Sequence, residues 1–375
     1  MVKKMKVVTV LGTRPEIIRL ASVIKKLDKE VNHVLVHTGQ NYDYELNQVF
    51  FDELGLRKPD YFLGCKADTL GEQIGNIIAK SEEVFVKENP DAVLILGDTN
   101  SSLSIIIAKR LKIPIFHMEA GNRCFNDNVP EEINRRIVDH TADFNLAYTE
   151  HGRRNLLREG LPIHKIFVTG SPMAEVLHDN LPKIEKSKIL DELKIKLGKY
   201  IVASAHREEN IDDDRRFERL FDSFNAIVKE FDMPIILSTH PRTKKKLEEK
   251  KLTLDKRIMI HKPFGLFDYV KLQKNAFVVV SDSGTISEES AILNFPAIMT
   301  RTNSERPEAM DHGTMILGGV EKENLINAIY VITKYRKTSD EIPEHYKNTD
   351  CSDRVLKLIL GLSRLVDRRR KSIEY

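Results

Sequence analysis

The stretch Val278–Ala291 reads VVVSDSGTISEESA. With Phe277 before it, the run of valines is a short apolar segment of strand type. Asp282, Ser283 and Gly284 are turn and cap residues, and Thr285 to Ala291 read as the first turns of a helix. A strand, a small-residue loop and a helix start gather free backbone N–H groups and a positive dipole end at one point, which suits a phosphate. Glu288 and Glu289 would repel a phosphate, so at least one is expected to face a sugar or ribose hydroxyl. An ordinary N-cap at Ser283 followed by two solvated glutamates would be written in the same letters.

Outward from this stretch the same unit recurs. KYIVASAHREEN (Lys199–Asn210) and PIILSTH (Pro234–His240) are strands on either side of a helix over Arg216–Phe231, and Arg257–Ile260 is another strand. PAIMT (Pro296–Thr300) and Met315–Leu317 follow, then a helix over Lys322–Tyr335. An earlier series carries KVVTVLG (Lys6–Gly12), HVLVHTG (His33–Gly39), DAVLILGDT (Asp91–Thr99), PIFHMEAG (Pro114–Gly121), FNLAYT (Phe144–Thr149) and KIFVTGS (Lys165–Ser171). Helices are expected between them, including 69–88, Ser102–Lys112 and Pro130–Thr141. The series restarts near Gly170–Pro172, which divides the chain into domains at 1–170 and 171–351. The C-terminal helix, 352–375, has Val355, Leu356, Ile359, Leu362 and Leu365 at helical spacing and is expected to pack back on the first domain.

Such βα alternation predicts the α/β class: two Rossmann-like domains of parallel strands covered by helices on both faces, with a cleft between them at the strands' carboxyl ends. Arg14, Gln40, Asp98, Glu119, His206, His240 and Ser283 all follow strand-like runs closely. Turn residues also lie at strand ends, but Arg, Glu and His are not typical turn formers.

The length, 375 residues, is typical of two domains. A formal charge of +3 without a clustered basic excess argues against nucleic acid as a partner. Cys65, Cys124 and Cys351 are far apart, so neither a disulfide scaffold nor a zinc knuckle is implied, and a reduced, cytoplasmic setting is expected. The basic start MVKKMKVVTVLGTRPE loses its apolar character too early for a signal peptide, and no apolar stretch approaches membrane-spanning length. There is no GxGxxG, GxxxxGK[ST] or HExxH, so no dinucleotide cofactor, P-loop ATP site or metal is expected.

The ordered set GTRPE (Gly12–Glu16), GDT (Gly97–Thr99), HMEAGNR (His117–Arg123), PEEINR (Pro130–Arg135), HREEN (His206–Asn210), SDSGTISEE (Ser281–Glu289) and SERPEA (Ser304–Ala309) resembles the non-hydrolysing UDP-N-acetylglucosamine 2-epimerases. The resemblance runs from the first strand to about Gly313. It implies the glycosyltransferase B type of two-domain fold, a homodimer, and interconversion of UDP-GlcNAc with UDP-ManNAc.

The chemistry can be reasoned independently. The hydrogen on carbon 2 of an N-acetylhexosamine has no neighbouring carbonyl, so simple deprotonation is implausible. Transient oxidation by NAD would need the absent fingerprint. Elimination of UDP from carbon 1 as the proton leaves carbon 2 yields 2-acetamidoglucal, and UDP adds back after reprotonation on the other face. This route needs acid and base groups and a grip on the diphosphate, but no redox cofactor.

The resemblance implies that Asp98, Glu119 and Glu131 are the catalytic carboxylates, with Glu132 a neighbouring candidate, and that His206 is the catalytic-site histidine. Carboxylates sharing a cleft are expected to raise one another's pKa values. Arg14 and Arg19 match nucleotide-sugar contacts, Arg19 standing where Lys is common. Ser283, Gly284 and Thr285 match the diphosphate, Glu289 the ribose hydroxyls, and Arg306 the phosphates or sugar. HKPFG (His261–Gly265) stands where the family holds uracil. Gln40, Arg207, Glu209 and His240 match a second, activating UDP-GlcNAc site of bacterial members, although Ala67, beside Lys66, stands where those members have Arg. Three rivals remain: a glycosyltransferase of the same fold, a hydrolysing epimerase, whose usual added kinase domain is not expected here, and a non-catalytic nucleotide-sugar sensor.

Overall fold

The computed structural model describes residues 4–40, 44–239, 241–336 and 342–367. The chain forms two compact units: one comprises Met1–His178 and Asn348–Tyr375, the other Asp179–Lys347.

In the first unit, strands β1 (Lys6–Leu11), β2 (Asn32–His37), β3 (Tyr61–Phe62), β4 (Ala92–Leu96), β5 (Ile115–Met118), β6 (Phe144–Ala147) and β7 (Ile166–Val168) form one sheet. Their spatial order is β3-β2-β1-β4-β5-β6-β7, and every pairing is parallel. Helices cover the sheet, so the central strands are buried along their length; Ala92 to Leu96 are all buried. Helix Arg14–Glu30 shows how the pattern works: Ile17, Leu20, Ala21, Ile24 and Leu27 recur at helical spacing and are all buried. Each of the isoleucines and leucines contributes roughly 1.5–3 kcal/mol by leaving water. Helix Cys351–Asp367 packs on that helix, with Val355 and Ile359 buried and Lys26 Nζ 2.5 Å from Asp353. Leu365, expected on the packed face, is exposed in its last turn.

The second unit repeats the plan. Strands β8 (Ile201–Ala205), β9 (Ile235–Thr239), β10 (Ile258–His261), β11 (Val278–Ser281), β12 (Ala297–Met299) and β13 (Met315–Leu317) form a parallel sheet of order β10-β9-β8-β11-β12-β13. The strand order reverses at β1/β4 in one sheet and at β8/β11 in the other. Ligands of open α/β sheets bind outside the strand carboxyl ends at such points.

Three local differences from the sequence reading have physical causes. The units divide a few residues beyond Gly170–Pro172: helix Pro172–Glu185 starts there, and its first turns, with Met173, Ala174, Val176 and Leu177 buried, still lie in the first unit, the second beginning at Asp179. The helix expected over Ser102–Lys112 opens as a 3₁₀ turn, Asn100–Ser104, before helix Ile105–Arg110. Its serines bond locally, Ser102 Oγ donating to the Leu96 carbonyl at 3.3 Å, which competes with helix continuation. Helix Pro241–Lys250 was not read because it is mostly solvated, with Leu247 as its buried apolar anchor. Among the described residues no helix is long and apolar enough to cross a membrane.

Candidate active site

In the first unit, the turn after β1 is built around Gly12. A Cβ there would lie 2.1 Å from Ser101 Oγ and 2.2 Å from Thr38 Oγ1, so only glycine fits. Those two hydroxyls bond each other at 2.7 Å, and Ser101 Oγ donates to Gln40 Oε1 at 3.1 Å. Arg14 then opens the helix, with Pro15 in its first turn. A guanidinium at the positive end of a helix dipole is locally unfavourable, which points to a use for its charge on an anion.

β4 ends at Gly97, which has φ +75°, and Asp98 follows. Arg135 reaches Asp98 Oδ2 through Nε at 3.0 Å and through Nη2. Asn134 Nδ2 donates to the Asp98 carbonyl at 3.0 Å. Both residues lie on helix Pro130–Thr141, so this helix, which carries Glu131 in its first turn, is tied directly to the Asp98 loop. Glu131 is half-buried, whereas Glu132 is fully buried. Glu132 Oε2 accepts from the Cys124 N–H at 3.0 Å and from Arg135 Nη1 at 2.8 Å. Burial works against the ionised form of Glu132, but the Cys124 N–H and the Arg135 charge outweigh it and hold its pKa below the usual range.

β5 ends at Glu119, whose φ is +67°. A left-handed conformation in a residue with a side chain costs on the order of 1–3 kcal/mol and clusters at functional sites. Glu119 is buried and paired with the buried Arg19, and Asn122 Nδ2 donates to its Oε1 at 3.3 Å. Beneath it His117 Nδ1 lies 2.9 Å from Asp139, which also binds Arg123 Nη1 at 2.7 Å. Burial opposes the Asp139 charge, but His117 and Arg123 prevail and its pKa is lowered. Asp98 and Glu119 each have a guanidinium partner. Glu16, in the same region, is pushed up to about 7 by burial.

In the second unit β8 leads into His206 and β11 into Asp282. His206 Nδ1 lies 2.8 Å from Asp282 Oδ1. Asp282 Oδ2 accepts from the backbone N–H of His206 at 2.9 Å, of Arg207 at 3.0 Å, and from Asn210 Nδ2 at 3.1 Å. Burial disfavours the ionised carboxylate, but the His206 charge and these donors hold its pKa far below the ordinary value. An ionised carboxylate only accepts, so Nδ1 of His206 carries the proton. The imidazole side chain is 43% exposed, which leaves its other nitrogen accessible.

Ser283, Gly284 and Thr285 form the turn into helix Ile286–Leu293. The two hydroxyls are 3.0 Å apart. A Cβ on Gly284 would sit 3.2 Å from Arg306 Nη1 and 3.6 Å from Arg207 Nη2, so two guanidinium groups flank the turn. Arg306 donates to the Gly284 carbonyl, and its Nε is 3.3 Å from Glu288. Glu289 is nearly buried and accepts from Gln273 Nε2 at 2.8 Å. Glu209 accepts from Thr302 Oγ1 at 2.7 Å and lies 3.0 Å from Arg216. Gln40 belongs to the Gly12 cluster of the first unit, and His240 lies outside the described residues.

A family model described as UDP-N-acetylglucosamine 2-epimerase matches residues 25–360. The chain belongs to this family. A UDP-N-acetylglucosamine 2-epimerase from Methanocaldococcus jannaschii is 39% identical over 348 residues, covering 89% of this chain and 93% of the relative. The solved structure of the Rickettsia bellii UDP-N-acetylglucosamine 2-epimerase superposes with a TM-score of 0.90 at 50% identity, covering 97% of this chain and 98% of that one. The Methanocaldococcus jannaschii enzyme, solved in complex with UDP-GlcNAc and UDP, gives a TM-score of 0.88 at 38% identity, covering 95% and 99%.

For this 2-epimerase family member, reading from sequence missed three supporting residues. Arg135 lies within PEEINR four residues beyond Glu131, on the same helix face, and that spacing is its signal in the sequence. Asp before Ser-Gly is an ordinary turn sequence, which hides the role of Asp282. Glu16 lies inside the GTRPE motif with no signal of its own to mark its burial.

Proposed function

We propose that this chain interconverts UDP-GlcNAc and UDP-ManNAc without hydrolysing them. The observation that carries the reading is the set of carboxylates Asp98, Glu119 and Glu131 at the carboxyl end of one parallel sheet, two of them backed by arginines, in a chain that matches 2-epimerases along nearly its whole length. In the reaction a carboxylate takes the proton from carbon 2, the C–H electron pair becomes the C1–C2 double bond, and the C1–O pair leaves with UDP. Reprotonation on the opposite face and return of UDP complete the inversion. Arginines beside Asp98 and Glu119 offset the charge of these carboxylates. His206, its Nδ1–H held by Asp282, stabilises departing UDP in its cationic form, in which the other nitrogen also donates. Ser283, Gly284, Thr285 and Arg306 bind the diphosphate, Glu289 the ribose, and Arg14 and Arg19 the nucleotide sugar.

The same reading places the protein in the cytoplasm as a homodimer. Ile106, Ile133 and Ile137 are 37%, 51% and 39% exposed on neighbouring helices of the first unit and supply an apolar face for a second copy. Sedimentation tests that assembly. Proton NMR of an incubation with UDP-GlcNAc tests the activity: an equilibrium with UDP-ManNAc is expected. Free ManNAc with UDP would make the chain a hydrolysing epimerase, and no change without an acceptor would favour a glycosyltransferase.

A further inference from the structure

Glu16 is 1% exposed, yet it is a carboxyl group in the first turn of a helix whose outer face is free to carry charges. Its side chain turns inward and joins two loops. Oε2 accepts from the Gly12 N–H at 3.0 Å and from Thr13 Oγ1 at 2.8 Å. Oε1 accepts from Thr99 Oγ1 at 3.1 Å. Gly12 and Thr13 are the turn into Arg14, and Thr99 directly follows Asp98. These are the two loops at the strand-order reversal of the first sheet. Pro15 and the steric limit at Gly12 fix the first loop; the second, with Gly97 at φ +75°, is held on one side by Asn134 and Arg135 and on the other by Glu16.

We propose that Glu16 is a positioning residue for the epimerisation: it holds the Asp98–Thr99 loop in register with the turn that carries Arg14. The proposal rests on the epimerase reading above. All three partners donate, and the carboxylate accepts from all of them as they stand. A protonated Glu16 keeps the Thr99 contact only if that hydroxyl turns from donor to acceptor, which changes the bond that ties the Asp98–Thr99 loop to the turn. The charged groups on the surrounding elements are otherwise engaged. Arg19 on the same helix holds Glu119, Arg135 holds Asp98, His117 is bound to Asp139, and Arg14 lies 6.0 Å above the Phe50 ring. His37 at the end of β2 is kept neutral near pH 7 by burial, which lowers its pKa to about 4. Burial also pushes Glu16 up to about 7, so it titrates where turnover is measured.

The test uses the full chain, wild type and the variants Glu16→Gln and Thr99→Val. An amide keeps the shape but replaces one acceptor with a donor. Glu16→Gln should lower kcat by about 10–100-fold, the scale of a misplaced catalytic group, with KM changed less than about threefold. The wild-type acid limb of kcat should vanish in Glu16→Gln, and Thr99→Val should lower kcat while keeping that limb. A melting-temperature series is the second readout. The folded-state value of Glu16 lies above its unfolded one, so its contribution is full below about 4.5 and is lost as pH rises through about 7. Wild type should therefore lose melting temperature relative to Glu16→Gln across that window. An unchanged kcat and acid limb in Glu16→Gln, with wild type active, would overturn the proposal alone. Lack of epimerisation by wild type would overturn the epimerase reading and this role with it.

Discussion

The buried guanidinium of Arg19 pairs with the carboxylate of Glu119, a residue held at φ +67° at the end of β5. Strain and a buried ion pair at one position mean that the local fold is committed to presenting this carboxylate. Removing one partner leaves the other charge buried and uncompensated, at roughly 3–5 kcal/mol. Arg19→Ala should lower unfolding stability by that order and abolish turnover. Arg19→Lys keeps the charge but not the fork, and should retain measurable turnover with a smaller stability loss. Chemical denaturation of both variants checks this; a fully stable Arg19→Ala would contradict it.

Glu131 and Glu132 are adjacent but differ in burial, and the variants should separate them. Glu131→Gln should cut turnover by roughly 10²–10⁴-fold, as for a lost acid or base group, with little change in melting temperature. Glu132→Gln should instead lower melting temperature, because it weakens the contacts to Cys124 N–H, Arg135 and Arg136. If Glu131→Gln turns over normally, the carboxylate assignment is off by one residue.

How far the sequence carried can be seen at these positions. Valine runs such as Val278–Val280 specify buried parallel strands, and the periodic Ile17, Leu20, Ile24 and Leu27 specify a covering helix, so both sheets were legible. The motifs also led to Asp98 and Glu119. What was not legible is the pairing. Arg135 meets Asp98 from 37 residues away, and Asp282 meets the His206 side chain and backbone from 76. Such contacts depend on which strands become neighbours, and local patterns do not encode that. The burial of Glu132 and Glu16 is hidden for a related reason: a glutamate in a first helical turn carries no local mark of the loop that buries it.

The Asp282–His206 pair predicts a pH signature. The folded-state pKa of Asp282 is depressed, so its contribution is present above the unfolded value near 3.8 and is lost as pH falls below it. Wild-type stability should therefore fall with acidification below about pH 4, and Asp282→Asn should show a shallower fall over that range. Asp282→Asn should also lower kcat, because it removes the anionic partner that fixes the His206 ring through Nδ1. Parallel acid-unfolding curves for the two proteins would contradict the pairing.

An activating second ligand on Arg207, which the family resemblance implies, would predict a kinetic history. His206 and Arg207 share the N–H contacts to Asp282, so a ligand on Arg207 would bias the arrangement His206 needs. Reactions started from UDP-ManNAc alone should show a lag that a trace of UDP-GlcNAc abolishes, and Arg207→Ala should not respond to the trace. Hyperbolic kinetics without a lag would contradict this.

The central claim is that carbon 2 loses its proton to the enzyme while UDP departs, with no redox cofactor. Incubation of the wild-type protein with UDP-GlcNAc in deuterated water, without added NAD, tests it most directly by proton NMR. The account predicts deuterium at carbon 2 of both UDP-GlcNAc and UDP-ManNAc as they equilibrate. Conversion to UDP-ManNAc with the original hydrogen fully retained would contradict it.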